Sequence, residues 1–383
     1  MTRRTLHLTE RRTRRAKLPA GEVAFLLAHA RHAIEVVPDF EPNVYRLTAR
    51  GHVGFLCGPE LRYAISPKIP WPNVRLLCGL APGEGDPTEP RGGLLAALAT
   101  AFAERLNEVA RAGLVCGYRA ALAESRFLRG KLRTSEQMRD AAVRAFPDHF
   151  HIEDEVFDAD APWNRVPRFV ADLLARAALS NAVRDRVDTA ARALAAVPAS
   201  PDFDSDLSAA RAEPRAAHYA PLLDVCEQLV RGVRAADPRT EVGSGFLFDL
   251  GRAFEQYLAC VLARELGARR GWGVEAQPAF GLGPVELRPD VLVRRKGAPF
   301  AVLDAKWKAA RPEPADLHQV LAYSALCGTD RVALVYPGSR TSRRVLNAPN
   351  GPARVTLYKL RVTGTTHELE TGARRLARAV ARG

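Results

Sequence analysis

Residues 285–308 read VELRPDVLVRRKGAPFAVLDAKWK, and this stretch decides the fold. Apolar residues recur from Val285 to Arg294 and again from Phe300 to Trp307, and turn formers separate the two runs from Arg295 to Pro299. This pattern predicts two strands joined by a tight turn at Lys296-Gly297. The second strand should therefore lie antiparallel beside the first.

Three polar side chains interrupt these apolar strands. Side chains alternate along a strand, so Asp304 and Lys306 should share one face. The turn should bring Asp290, from Arg288-Pro289-Asp290 on the first strand, next to Asp304. Two carboxylates and the backbone carbonyl of Ala305 suit Mg²⁺, while Lys306 could orient a water or a scissile phosphate. The alternative is a surface ion pair, because Asp-x-Lys is a common tripeptide.

Helices predicted on either side of the strands would complete such a site. The helix from Phe248 to Leu266 places Glu255 at the edge of its apolar face, where it could be a further metal or water ligand. The helix from Ala315 to Cys327 carries Gln319 and Tyr323 four residues apart, on one face. With further strands predicted at 332–336 and 355–362, the order α-β-β-α-β indicates an α/β unit.

Length and charge give broader bounds. A chain of 383 residues is expected to form two or three domains. The net charge of +13 favours a polyanionic partner such as nucleic acid. However, seven lysines stand against 49 arginines, and arginine enrichment is also what a GC-rich genome produces. The charge alone leaves both explanations open.

Several classes of protein are excluded or disfavoured. No apolar run approaches the roughly 20 residues of a membrane span, and no apolar segment follows the basic N-terminus as in a signal peptide, so we expect a cytoplasmic protein without a membrane partner. The six cysteines lack CxxC spacing, which predicts reduced, mostly buried thiols. The pairs His29/His32 and His149/His151 lack a third ligand nearby, and we assign them no role.

Three regions are predicted along the chain. Residues 1–90 carry short apolar runs between Pro, Gly and Asn, which indicates a β-rich N-terminal domain. Residues 91–236 are predicted to be mainly helical, and residues 237–383 hold the α/β unit. Two segments rich in turn formers, Ala81 to Gly93 and Pro198 to Pro214, are predicted to be loops. The expected class is a multidomain α+β or α/β fold.

The residues quoted above resemble a known nuclease core. Glu286 to Asp290 followed by Val302 to Lys308 is similar to the PD-(D/E)xK motif, and Asp316 to Tyr323 is similar to its downstream Q-x-x-x-Y helix. The chain as a whole resembles the McrC family, the nuclease subunits of the McrBC modified-cytosine restriction systems. Four further segments carry this resemblance: Gly51 to Ile69, Gly113 to Leu132, Asp160 to Arg165, and Phe254-Glu255.

The resemblance implies a restriction-endonuclease-like α/β core that cuts double-stranded, methylated DNA with Mg²⁺. The implied catalytic residues are Asp290, Asp304, Lys306, Glu255, Gln319 and Tyr323, and the implied metal ligands are Asp290, Asp304, Ala305 and Glu255. It also implies that the N-terminal domain docks on a hexameric AAA+ GTPase of the McrB type and stimulates it. The chain has no GxxxxGK[ST] phosphate-binding loop, so any nucleotide motor is a separate chain. Basic residues of Arg126 to Arg133 are candidates for contacting that GTPase, and ordinary loop charge is the alternative.

Two other functions remain open from the sequence. The chain could be an activator or adaptor of the GTPase whose nuclease fold does not cut. It could instead be a stand-alone nuclease of the Mrr type, which cuts DNA without a GTPase. The target modification, the target spacing and the stoichiometry are not encoded in any motif of the sequence.

Overall fold

A computed structural model describes residues 4–80, 93–139, 149–236, 245–282, 285–309, 311–347 and 354–382. The chain divides into two compact units, Met1–Leu94 with Gly232–Gly383, and Leu95–Arg231. The predicted boundaries after residues 90 and 236 border stretches outside the described residues, so the three-part division stays a prediction. The predicted loop at residues 81–93 also lies outside them, except for its last residue. The mixed α+β class is confirmed.

The first unit begins with small sheets. Its N-terminal elements are β1 (Arg4–Thr9), β2 (Thr13–Lys17), α1 (Ala20–Phe25) with a π-helical continuation (Leu26–Ala30), β3 (Ile34–Pro38), β4 (Val44–Ala49), β5 (His52–Cys57), β6 (Leu61–Ser66) and α2 (Trp71–Leu77). Strands β2, β4 and β3 form one sheet in that order. These strands confirm the β-rich character expected of residues 1–90.

The second unit is helical with one small sheet. Its elements, including the helices at its two ends, are α3 (Gly93–Ala112), β7 (Gly117–Ser125), β8 (Lys131–Leu132), α4 (Thr134–Arg139), β9 (Phe150–Asp158), α5 (Pro162–Ala175), α6 (Asn181–Ala191), α7 (Phe203–Ala212) and α8 (Ala220–Ala236). The sheet β7-β9-β8 was not predicted. The prediction of a loop from Pro198 to Pro214 is wrong, because the helix α7 occupies most of this segment. Asp202 caps this helix, and Phe203 and Leu207 are buried.

The rest of the chain returns to the first unit. Its elements are β10 (Gly245–Asp249), α9 (Leu250–Gly267), β11 (Trp272–Ala276), β12 (Phe280–Leu282), β13 (Val285–Leu287), β14 (Val291–Arg295), β15 (Ala298–Ala305), α10 (Pro314–Cys327), β16 (Arg331–Gly338), β17 (Ser342–Asn347), β18 (Arg354–Arg361) and α11 (Thr366–Arg382). Six strands form a sheet in the order β11-β14-β15-β16-β18-β17, and β15, β16 and β18 are parallel. Helix α10 packs on β15 and β16. Val302, Val320 and Leu334 are fully buried in that layer.

Two predicted boundaries in this region are wrong. The strand expected from Val285 to Arg294 is two strands, because Pro289 has no N–H for a ladder and β13 pairs with β12 while β14 pairs with β11 and β15. Asp290 therefore precedes β14 instead of lying within a continuous strand. The helix expected from Phe248 begins at Leu250, because the Asp249 carboxylate accepts hydrogen bonds from the backbone N–H groups of Gly251 and Arg252.

The sheet that contains β1, β5 and β6 also includes β10, a strand that lies almost 200 residues later in the sequence. Its order is β1-β6-β5-β10, so residues 245–249 pair with residues 52–56. Gly54 permits this pairing: its φ is +129°, and a Cβ there would lie 2.1 Å from the Phe246 carbonyl oxygen. The N-terminal strands thus belong to the same unit as the six-stranded sheet.

Candidate active site

The hairpin β14–β15 brings the two aspartates together as predicted. Its turn residues Lys296 and Gly297 have φ angles of +51° and +82°, which suits a tight hairpin between strands. Val291 pairs with Leu303, so Asp290 lies beside the carboxyl end of β15. There the Asp290 Oδ2 accepts a hydrogen bond of 2.7 Å from the backbone N–H of Ala305. Asp290 is thereby tied to the strand that carries Asp304.

Lys306 connects the strand to the following helix. It lies one residue beyond β15, where its backbone N–H donates to the Val335 carbonyl at 2.8 Å. Its Nζ lies 2.7 Å from Asp304 Oδ2 and donates to Gln319 Oε1 at 2.9 Å. The shared face expected for Asp304 and Lys306 is thus observed.

Gln319 and Tyr323 extend this chain of contacts. The amide nitrogen of Gln319 donates to the Tyr323 hydroxyl at 2.9 Å, and that hydroxyl donates to the Arg288 carbonyl at 3.1 Å. Tyr323 is 4% exposed, so its ring packs in the core while its oxygen reaches back to the loop before Asp290. The hydrogen bonds therefore fix the Lys306 ammonium from α10.

Glu255 approaches the same place from α9. It shares a cavity with Ala305 and Lys306, and its charge interacts with those of Asp304 and Lys306. Burial raises the pKa of the Glu255 carboxyl, and the neighbouring Asp249 and Asp304 carboxylates raise it further. The structure thus gathers every residue that the sequence singled out for the site.

The carboxylates repel one another in a buried setting. Burial, followed by the charges of Asp304 and Glu255, raises the pKa of Asp290 to about 7. Burial likewise raises the pKa of Asp304, although the Lys306 ammonium opposes that shift. Burial lowers the pKa of Lys306, but the hydrogen bond and charge of Asp304, together with the charges of Asp290 and Asp316, outweigh it and the net shift is upward. The neighbouring carboxylates thus favour the ammonium form of Lys306.

Some residues near the site were missed by the sequence reasoning. The Trp307 indole N–H donates to Glu10 Oε1 at 2.7 Å, and Arg11 donates to the Trp307 carbonyl at 2.7 Å. The Lys68 ammonium lies 4.7 Å from the centre of the Trp307 ring. No local pattern links residues that are more than 200 positions apart, so the sequence carried no signal for these contacts.

The model of the McrBC 5-methylcytosine restriction system component family matches residues 87–337, well over half of the chain. The chain belongs to this family. No curated protein matches it.

Two solved assemblies are similar to this McrBC-family chain. One chain from a tetradecameric assembly of Thermococcus gammatolerans McrB AAA+ hexamers with bound McrC has a TM-score of 0.51 and 17% identity, and the match covers 98% of this chain and 100% of that one. This likeness shows a shared fold. A chain of the Thermococcus gammatolerans McrBC complex has a TM-score of 0.43 and 18% identity, with 70% of this chain and 89% of that one covered.

The donor set of this McrBC-family chain fits a hard divalent cation. Asp304 Oδ2 is fully buried, and its close partner among the described residues is the Lys306 ammonium at 2.7 Å. Oxygen donors from two aspartates and a backbone carbonyl are the ligands that Mg²⁺ takes alongside water. Among the described residues no three His, Cys, Asp or Glu side chains are arranged to hold an ion alone, so such a site would need the carbonyl and water.

A long antiparallel hairpin of the second unit, formed by β7 and β9 with β8 and α4 in the segment between them, exposes apolar side chains. Of the ten large hydrophobic residues that the described part of the chain exposes, six lie here: Tyr118, Leu122, Phe127, Leu128, Met138 and Phe157. The Tyr118 and Phe157 rings lie 4.9 Å apart on paired strands. The predicted contact segment from Arg126 to Arg133 joins β7 to β8 and lies within this hairpin.

None of the described helices is both long and apolar enough to cross a membrane. All six cysteines are outside disulfides, but the expectation that most are buried is only half right, because Cys57 and Cys116 are partly exposed and Cys260 is exposed.

Proposed function

We propose that this chain is an McrC-like, Mg²⁺-dependent DNA endonuclease with a PD-(D/E)xK core. The observation that carries the proposal is the gathering of Asp290, Asp304, Lys306 and Gln319 at one end of β15, with Glu255 facing them from α9. Several carboxylates and a held ammonium at one point are costly to bury, and such arrangements are typical of active sites. A DNA substrate would place this activity in the cytoplasm.

The chain's own residues have distinct parts in phosphodiester hydrolysis. Asp290, Asp304 and the Ala305 carbonyl would hold Mg²⁺, with Glu255 as the acceptor for a water bound to the ion. The bound ion would supply Lewis acidity for attack by water on the phosphate. Lys306, kept protonated by Asp304, would stabilise the charge that develops on the phosphate. Gln319 would aim the ammonium, and Tyr323 would hold Gln319.

The same proposal includes a partner. Family membership and the fold shared with a chain from an McrB–McrC assembly support docking on an McrB-type AAA+ GTPase hexamer. The exposed apolar hairpin of the second unit, with Arg126, Arg129 and Arg133 near its turn, supports this hairpin as the docking element. A 5-methylcytosine target follows from the family description alone.

The test is cleavage of methylated and unmethylated plasmid by the full chain, with and without an McrB-type GTPase, GTP and Mg²⁺. We expect cutting that requires Mg²⁺, and we expect Asp304→Ala to abolish it while the complex with the GTPase still forms on size exclusion. Asp330→Ala, an exposed aspartate in the same unit, is the matched control and should cut normally.

Each alternative gives a different result. GTPase stimulation without cutting on any substrate would indicate a non-cutting activator. Cutting at full rate without the GTPase would indicate a stand-alone nuclease of the Mrr type. Full activity of Asp304→Ala would refute the assigned site.

A further inference from the structure

Two adjoining cavities open beside Lys306. The first has a volume of about 310 Å³ and is lined by Arg11, Arg50, Lys306 and Lys308, with Glu255 and Asp249 on its wall. The second has a volume of about 720 Å³ and is lined by Arg11, Lys68, Lys308 and Arg311. Arg11 and Lys308 line both cavities. The two spaces therefore adjoin along a shared basic wall, beside the candidate active site.

Basic side chains outnumber acidic ones in the lining, although Lys308 pairs with Glu313 and Asp316. Six basic side chains line the two cavities, against the acidic Asp249, Glu255 and Glu313. Three of the six are lysines, although the whole chain has only seven. A genome that favours arginine explains scattered arginines but not three rare lysines at one place. Ammonium groups on flexible stems suit contacts with phosphate as point charges.

Some of these cations are held in place relative to the catalytic strand. Arg11 donates to the Trp307 carbonyl and Lys68 lies over the Trp307 ring, while Lys68 also pairs with the buried Glu10. Arg50 keeps about half of its side chain exposed, with a 3.7 Å approach to Glu35 as its ion pair. The lining thus combines fixed charges near Lys306 with accessible charges at its ends.

We propose that these six residues form a basic trough that binds the sugar-phosphate backbone of the DNA strand to be cut. The trough would run from Arg50, past Arg11, Lys306 and Lys308, to Lys68 and Arg311. It rests on the proposed nuclease function and adds the path of the substrate. Its second consequence is that the segments following β1, β4 and β6 supply half of the substrate site, through Arg11, Arg50 and Lys68.

Salt-dependent DNA binding tests the trough. The full-length protein is titrated onto a fluorescent 30-base-pair duplex in EDTA, so that no cutting competes, and the dissociation constant is measured over a series of KCl concentrations. The logarithm of the association constant falls linearly with the logarithm of the salt concentration, and each lost phosphate contact makes this slope less steep by about 0.9. We expect Arg50→Ala and Arg311→Ala each to lower the slope by about that amount, and the double variant by about 1.8.

Arg344→Ala is the matched control, because Arg344 is an exposed arginine of the same unit that lines neither cavity. An unchanged slope in both trough variants would overturn the proposal, and so would an equal fall in Arg344→Ala, which would mean diffuse charge. Failure of the proposed nuclease function would be seen separately, because this binding assay does not depend on cutting. If the protein never cuts DNA but the trough variants show the weaker salt dependence, DNA still binds in the trough.

Discussion

The contact between Glu10 and Trp307 offers a sharp test of how the N-terminal strands support the site. Glu10 is 1% exposed, and its Oε1 accepts the indole N–H at 2.7 Å. The same oxygen lies 3.6 Å from Lys68 Nζ. Trp307 directly follows Lys306, so this hydrogen bond anchors the segment just beyond β15, beside the candidate active site. A double-mutant cycle of Glu10→Ala and Trp307→Phe isolates it.

The magnitude follows from burial and charge. A hydrogen bond to an ionised group contributes about 1.5–3 kcal/mol to folding stability. Trp307→Phe leaves the Glu10 carboxylate without its indole donor, and we expect a loss of about 2–3 kcal/mol. Glu10→Ala also removes the partner of Lys68, and we expect a loss of about 3–5 kcal/mol. Because both variants lose the same bond, the double variant should lose about 1.5–3 kcal/mol less than the sum.

Urea unfolding followed by circular dichroism gives the four free energies of unfolding. Trp272→Phe is the control for the tryptophan: its ring packs on Phe300, 4.9 Å away, and it shares no contact with Glu10. The cycle of Glu10→Ala with Trp272→Phe should therefore be additive within about 0.5 kcal/mol. Additivity in the Trp307 cycle as well would refute the reasoning, because it would mean that the hydrogen bond contributes nothing.

Two further substitutions test the hairpin and the N-terminal sheet. Asp290→Asn keeps an acceptor for the Ala305 N–H but removes a charge repelled by Asp304, so cutting should be lost while stability in EDTA at pH 8 rises by up to about 4 kcal/mol. That gain should shrink as the pH falls from 7 towards 4 in urea unfolding, because the wild-type carboxyl then protonates, and a constant gain would contradict the raised pKa. Gly54→Ala should prevent stable folding, since its Cβ would meet the Phe246 carbonyl; a thermal midpoint close to that of the wild type would show that the strand β10 can shift.

The hairpin of the candidate active site could be predicted because the residues that determine it are neighbours in the sequence. A Lys-Gly turn flanked by apolar runs sets the register, and the register sets which side chains meet. The carboxylate and the ammonium of Asp304-Ala305-Lys306 share a face for the same reason. The break between β13 and β14 at Pro289 was not predicted, although proline has no backbone N–H to donate to a neighbouring strand.

Contacts across the chain could not be predicted. Strand β2 reads TRRAK and has no apolar alternation, because most of its side chains are exposed. The Glu10 carboxylate is buried by a tryptophan that lies 297 residues away, and nothing near Glu10 in the sequence distinguishes it from a surface glutamate. Helix α7 was hidden differently: the surrounding Pro, Ser and Asp indicated a loop, although Asp202 was a helix cap.

These contacts give the N-terminal region a structural part beside the GTPase docking that the resemblance implies. Strand β10 pairs with β5, the Leu250 N–H donates to the Gly51 carbonyl, and Glu10 and Arg11 in the turn after β1 hydrogen-bond to Trp307. A fragment of residues 237–383 would leave an open strand edge at β10 and an indole without its acceptor, next to Lys306. The residues of the candidate active site therefore come from the C-terminal half, but Glu10, Arg11 and Lys68 from the first seventy residues hold Trp307, the residue next to Lys306.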